Sequence, residues 1–232
     1  VFMINIFMGI TSALGCSMHN EECLNEKINK ALGYYSQCLD ESMAPLGQFA
    51  RGGSPSGRNM PGDCRNLAIS SSRSGLSKSN WEGGTDWESK GLKKYEDRIN
   101  TISEPYLESI LKMNKQSVDS SRNYDKKARS YHGSFLSRPI RNFSNRLEAA
   151  VVDLSAFQLN DDASSYTKEL KDLYLYLINQ AIKDYKKSPV SERSKPREHL
   201  TEVFSNATSV FSRLRMYEEA KKFNKIKEEM FL

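Results

Sequence analysis

Apolar residues recur every three or four positions through most of the chain, the spacing of one face of an α-helix. Leu24, Ile28, Ala31, Tyr35 and Leu39, with Ser42 or Met43, predict a helix over about residues 20–44, which Pro45 and Gly47 stop. Leu92, Tyr95, Ile99, Ile102, Tyr106 and Met113 follow a heptad seam, as in helices that wrap around one another. Pro105 falls inside that seam, so it either kinks the helix or sits in the first turn of one that starts near Ser103. After a polar gap the stripe resumes as Tyr124, Ala128, Tyr131 and Phe135.

A further helix opens at Ser137 and Pro139 and carries Ile140, Phe143, Leu147, Ala150, Val151, Leu154 and Phe157. Asn160-Asp161-Asp162 either caps a fresh helix or lies exposed on a continuing one. Beyond it, the stripe from Tyr166 to Tyr185 is wider than one face, which asks for more than one covering neighbour. The last element runs from about Glu198 through Leu200, Phe204, Phe211, Ala220 and Phe223 to Met230. Neither Gly nor Pro occurs in residues 140–188 or 197–232, so nothing there forces a helix to end. Alternating strand patterns and hairpin dipeptides are missing. The expected fold is therefore all-α: long amphipathic helices packed as an antiparallel bundle or coiled coil.

Composition changes one part of this picture. Nine of the 13 glycines lie in residues 47–91, together with many serines and few aliphatics. That stretch reads as a flexible Gly/Ser-rich linker. Trp81 and Trp87 flank Gly83-Gly84 within it. The predicted organisation is an apolar segment 1–15, a cysteine-containing helical segment 16–46, the linker 47–91, and a long-helix bundle 92–232. Residues 1–15 carry no charge and end in small residues. They fit either the remainder of a secretory signal or an apolar first segment, and are shorter than the roughly 20 residues a membrane-spanning helix needs.

With 38% hydrophobic and 27% charged residues over 232 positions, the chain is too apolar to be wholly disordered. Its 34 basic and 29 acidic side chains leave a net charge of +5, a mild bias toward anionic surfaces. Cys16, Cys23, Cys38 and Cys64 all precede residue 65. In an oxidising compartment they allow two bridges with three pairings, and in the cytosol they are free thiols. Cys16-x-x-His19-x-x-x-Cys23 lacks the paired doublets of a structural zinc site, so no metal is expected.

Catalytic patterns are near misses. Gly52-Gly53-Ser54-Pro55-Ser56-Gly57-Arg58-Asn59 has the glycine spacing of a phosphate loop, but Arg58 and Asn59 replace the Lys and Ser or Thr that hold phosphate and magnesium. His19, His132 and His199 are scattered, and no nucleophile elbow is present. A non-enzymatic protein without a cofactor is expected.

The basic clusters point elsewhere. Lys183, Lys186, Lys187, Arg193, Lys195 and Arg197 bracket Pro189 and Pro196 in the turn before the last helix, a tip suited to acidic lipid. Lys126, Lys127 and Arg129 add positive surface near Gly133. Basic residues interleaved with acids, and the lack of a binding motif, argue against nucleic acid.

Residues from about 90 to 232 resemble the BAR superfamily, in its arfaptin and sorting-nexin branches. The likeness is carried by Leu136-x-x-Pro139-Ile140-x-x-Phe143, by Leu159-Asn160-Asp161-Asp162-Ala163-x-x-Tyr166, and by Tyr217-Glu218-Glu219-Ala220-Lys221-Lys222-Phe223-x-x-Ile226. The resemblance implies a crescent-shaped homodimer of long kinked helices that binds or bends membranes, with the 183–197 tip at the lipid-contacting turn. It implies a cytoplasmic, membrane-peripheral scaffold whose partner is an anionic lipid surface or another protein. The cysteines and the apolar opening support a different expectation: a secreted, disulfide-stapled helical protein that acts by protein or ligand binding.

Overall fold

The computed structural model describes residues 21–43, 60–75, 95–122 and 138–231. Residues 1–15, Cys16, the two tryptophans, the stripe from Tyr124 to Phe135, and Lys126, Lys127 and Arg129 lie outside them, as does the side chain of Cys23. The described residues are helical and contain no strand, so the fold is all-α. In chain order the helices are α1 (Glu21–Met43), α2 (Pro61–Gly75), α3 (described over residues 95–103), α4 (Leu107–Ser121), α5 (Arg138–Ala156), α6 (Asn160–Lys187), α7 (Ser194–Arg213) and α8 (Tyr217–Phe231). Short 3₁₀ turns, Glu104–Tyr106 and Val190–Glu192, precede α4 and α7. The chain divides into two compact units, one of Val1–Lys112 with Ala156–Gln158, the other of Met113–Ser155 with Leu159–Leu232. The boundary expected near residue 91 therefore falls about twenty residues later, because α3 and the start of α4 pack with the cysteine-containing helices.

In the first unit, α1 presents Ala31, Leu32, Tyr35, Cys38 and Leu39 to the core. Of the two places expected for Pro105, a kink or the first turn of a helix starting near Ser103, it takes the second, in a single tightened turn that Ser103 precedes. Ser103 and Leu107 keep helical dihedrals on either side of it, and the proline occupies an early position where its missing N–H is harmless. Residues 60–75 correct the expectation of a linker. Pro61 starts α2 with its φ already suited to a helix, and the Asp63 carboxylate accepts a hydrogen bond from the Met60 N–H at 3.1 Å, one half of a capping box. Cys64, Arg65 and Ala68 of this helix are buried, and α2 packs on α1. The Cys38–Cys64 disulfide joins the two, with Cα atoms 5.8 Å apart. Among the described residues this is the bridge that the structure shows, one of those the four cysteines allow.

The second unit is built on α5 to α8. Phe143, Leu147, Leu170, Leu177, Phe204 and Phe211 lie in one continuous core, each contributing about 1.5–3 kcal/mol relative to exposure. Tyr174 meets the edge of Phe211 at 6.1 Å, and Phe211 meets Phe223 at 5.3 Å. Short turns set α7 against both α6 and α8, as in antiparallel bundles. Outside the core, Arg213 grips Glu148 with two nitrogens at 2.6 and 2.8 Å, fastening α7 to α5.

The helices are shorter than the uninterrupted rods expected from the lack of Gly and Pro. Gln158 and Arg215 adopt left-handed backbone, with φ 61° and 59°. After Arg213 the Met216 N–H reaches the Phe211 carbonyl at 2.8 Å and the Arg215 N–H the Ser212 carbonyl at 3.0 Å, the paired bonds of a Schellman cap. After Ala156 the Leu159 N–H reaches the Leu154 carbonyl at 3.0 Å in the same way. Glycine is the usual residue at such positions, so a search for glycine passes over both ends.

Replacing exposed Arg215 with glycine removes the left-handed strain; Arg215→Gly should stabilise the protein by about 0.5–1 kcal/mol, read as a higher urea midpoint, whereas Arg215→Val should lower it. Reducing the Cys38–Cys64 bridge, which closes a loop of sequence separation 26, should cost roughly 3–4 kcal/mol; an unchanged thermal midpoint in dithiothreitol would contradict its staple role.

Candidate functional site

The predicted basic tip is a folded turn. α6 ends at Lys187, and Ser188, which precedes Pro189, turns to extended backbone as a residue before proline prefers. Its N–H and Oγ both donate to the Asp184 carbonyl, at 3.2 and 2.9 Å, closing the helix end. The 3₁₀ turn follows, fixed by the Glu192 N–H on the Pro189 carbonyl at 2.9 Å. Arg193 braces the loop: its Nε donates to the Ser188 carbonyl at 3.1 Å, and its guanidinium lies 5.4 Å from the centre of the Tyr185 ring.

Lys183, Lys186, Lys187, Lys195 and Arg197 are exposed. Among the described residues, no carboxylate lies within ion-pair distance of the four lysines. Val190 stands at the apex with 79% of its surface in solvent. Six basic and two acidic side chains leave residues 183–197 with a charge of +4. The site thus combines an exposed aliphatic side chain with exposed cations in the same stretch, and Arg193 braces the turn. Sequence reasoning identified the charges, but not the roles of Val190 and Arg193.

A second polar constellation, in the first unit, escaped the sequence because it starts from a residue taken for linker. Arg65 on α2 is 3% exposed. Its Nη2 donates to Asn100 Oδ1 at 2.6 Å and its Nη1 to Ser103 Oγ at 3.4 Å. The guanidinium lies 5.7 Å from the centre of the Phe157 ring. Tyr35 Oη and Ser103 Oγ are 2.7 Å apart, and Ser103 Oγ also donates to the Ile99 carbonyl at 2.6 Å. The one available signal was Pro61-Gly62-Asp63, a helix start hidden in a glycine-rich context. In the second unit, Asn114 Nδ2 donates to buried Asp153 Oδ2 at 2.5 Å, another pairing invisible to periodicity.

Among the described residues, no three His, Cys, Asp or Glu side chains gather as a metal site, and no helix is long and apolar enough to cross a membrane. No known protein family, curated protein or solved structure matches the chain.

Burial pushes the phenols of Tyr35, Tyr95 and Tyr174 up from the ordinary value of 10.0, that of Tyr95 to about 12. The unfolded chain releases these protons first, so their contribution to stability is complete below pH 10 and falls as pH rises toward 12. Urea midpoints should therefore drop steeply above pH 10, and Tyr95→Phe should flatten that drop; an equal slope in both proteins would contradict the assignment.

Proposed function

We propose that the protein is a non-enzymatic helical binding protein that meets anionic phospholipid surfaces through the 183–197 tip. The observation that carries this is the exposed Val190 in one stretch with exposed Lys183, Lys186, Lys187 and Lys195, none paired with a carboxylate among the described residues. A lysine near an acidic bilayer contributes about 1 kcal/mol, and several act together when they share one rigid turn. The aliphatic apex adds a small apolar contact at the headgroup boundary. Arg193 and the Ser188 cap hold the turn in one shape, which reduces the ordering a surface would otherwise impose.

The apolar stripes of α5 to α8 are already covered within the chain. Nothing among the described residues asks for a second copy to cover them, so the working unit proposed here is the single chain, in place of the homodimer implied by the BAR resemblance. The buried Cys38–Cys64 bridge supports work in an oxidising compartment, the setting of the secreted alternative. The two ideas are compatible: a stapled helical protein outside the cytosol can carry an anion-seeking tip.

Sedimentation with vesicles of neutral lipid, with and without acidic lipid, tests the proposal. Wild type should bind only the acidic vesicles and release them as salt rises. Lys186→Glu/Lys187→Glu should weaken binding by about tenfold or more. Equal binding by wild type and the double variant would remove the lipid role and leave the tip as a solvated turn.

A further inference from the structure

A guanidinium carries five N–H donors and a permanent positive charge. Arg65 is nearly sealed from solvent, yet its two hydrogen bonds to side chains go to neutral oxygens, on Asn100 and Ser103. Its Nε is buried without any acceptor. Among the described residues, no carboxylate lies within ion-pair distance of it. Tyr35 shares Ser103 with it, but burial keeps that phenol protonated, so it supplies no negative charge. A charge taken out of water without a counter-charge is destabilising, and folds keep such groups where something else pairs with them.

Arg65 also lines a half-open cavity of about 330 Å³. Asn100, Thr101 and Ser103 give it a polar wall, while Leu107 and Phe157 supply an apolar one. Glu104 and Gln158 complete the lining. A concave site with an apolar wall and a few convergent polar groups is the usual form of a small-molecule pocket.

We infer that this cavity binds a small apolar monocarboxylate, its carboxylate taking the remaining donors of Arg65 and the amide N–H of Asn100 and its hydrocarbon lying on Leu107 and Phe157. A carboxylate takes a guanidinium in a two-pronged grip. The negative Glu104 in the lining disfavours a ligand with a second negative charge, which selects a monocarboxylate over a phosphate ester. This inference is independent of the tip, and Lys186→Glu/Lys187→Glu should leave it unaffected.

Calorimetric titration of the full oxidised chain with 3-phenylpropionate, 3-phenylpropylamine and inorganic phosphate tests it. The carboxylate should bind saturably and raise the thermal midpoint, whereas the amine and phosphate should not. Arg65→Lys keeps the charge but loses the planar fork, and should weaken binding roughly tenfold or more. Because Arg65 is buried and its variant is at risk of misfolding, Thr101→Trp at an exposed lining position serves as a second probe; it should block binding while the circular dichroism stays that of wild type. Failure of wild type to bind the carboxylate, equal binding of the amine, preferential binding of phosphate, or undiminished binding by folded Thr101→Trp would each overturn the inference.

Discussion

Each helix of this chain has one apolar side that water disfavours, and the structure follows from the need to cover it with other helices of the same chain. In the second unit that demand is met by folding the chain back sharply, so that α7 lies against both α6 and α8. The reversal between α7 and α8 carries a local cost: Arg215 is held in left-handed backbone at roughly 1–2 kcal/mol, which burial of Phe204, Phe211 and Phe223 outweighs. Covering the stripes is also what leaves the tip as it is: once α6 and α7 are pressed together, the six residues that join them have no interior to enter.

Polar groups caught inside follow a second rule, that each needs a partner. Ser144 and Tyr174 share a hydrogen bond at 3.0 Å, and Asn114 serves Asp153. These contacts join α5 to α6 and to α4. Arg65 departs from the pattern, because its neighbours give it oxygen but no charge. The same departure is harmless at the tip, where water solvates Lys186 and Lys187. Burial, and not charge alone, separates an ordinary surface cation from a group that calls for a ligand.

Much of the fold was legible beforehand. The limits of α1, the helix start at Pro139, and the burial of Ile140, Phe143, Leu147, Leu154, Leu170, Phe204 and Phe211 all follow from spacing. The seam through α3 and α4 was only partly legible, since Tyr95 and Ile99 are buried but so are Ile110, Asn114 and Val118, which a heptad count leaves out. α2 was missed because its surrounding glycines and serines outweighed its cap, and a short helix of this composition gains its stability from the disulfide and from packing on α1.

Periodicity, the run of lysines and the early clustering of cysteine are local properties, written in neighbouring residues, and they alone determined an all-α protein with a basic turn between its later helices. The choice of Cys64 for Cys38, the ends of helices at Gln158 and Arg215, and the meeting of Arg65 with Asn100, Ser103 and Phe157 were decided by the tertiary structure. Each brings together groups far apart in the chain, or holds a backbone angle that the residue alone disfavours, and only the burial of surrounding side chains supplies the energy for either.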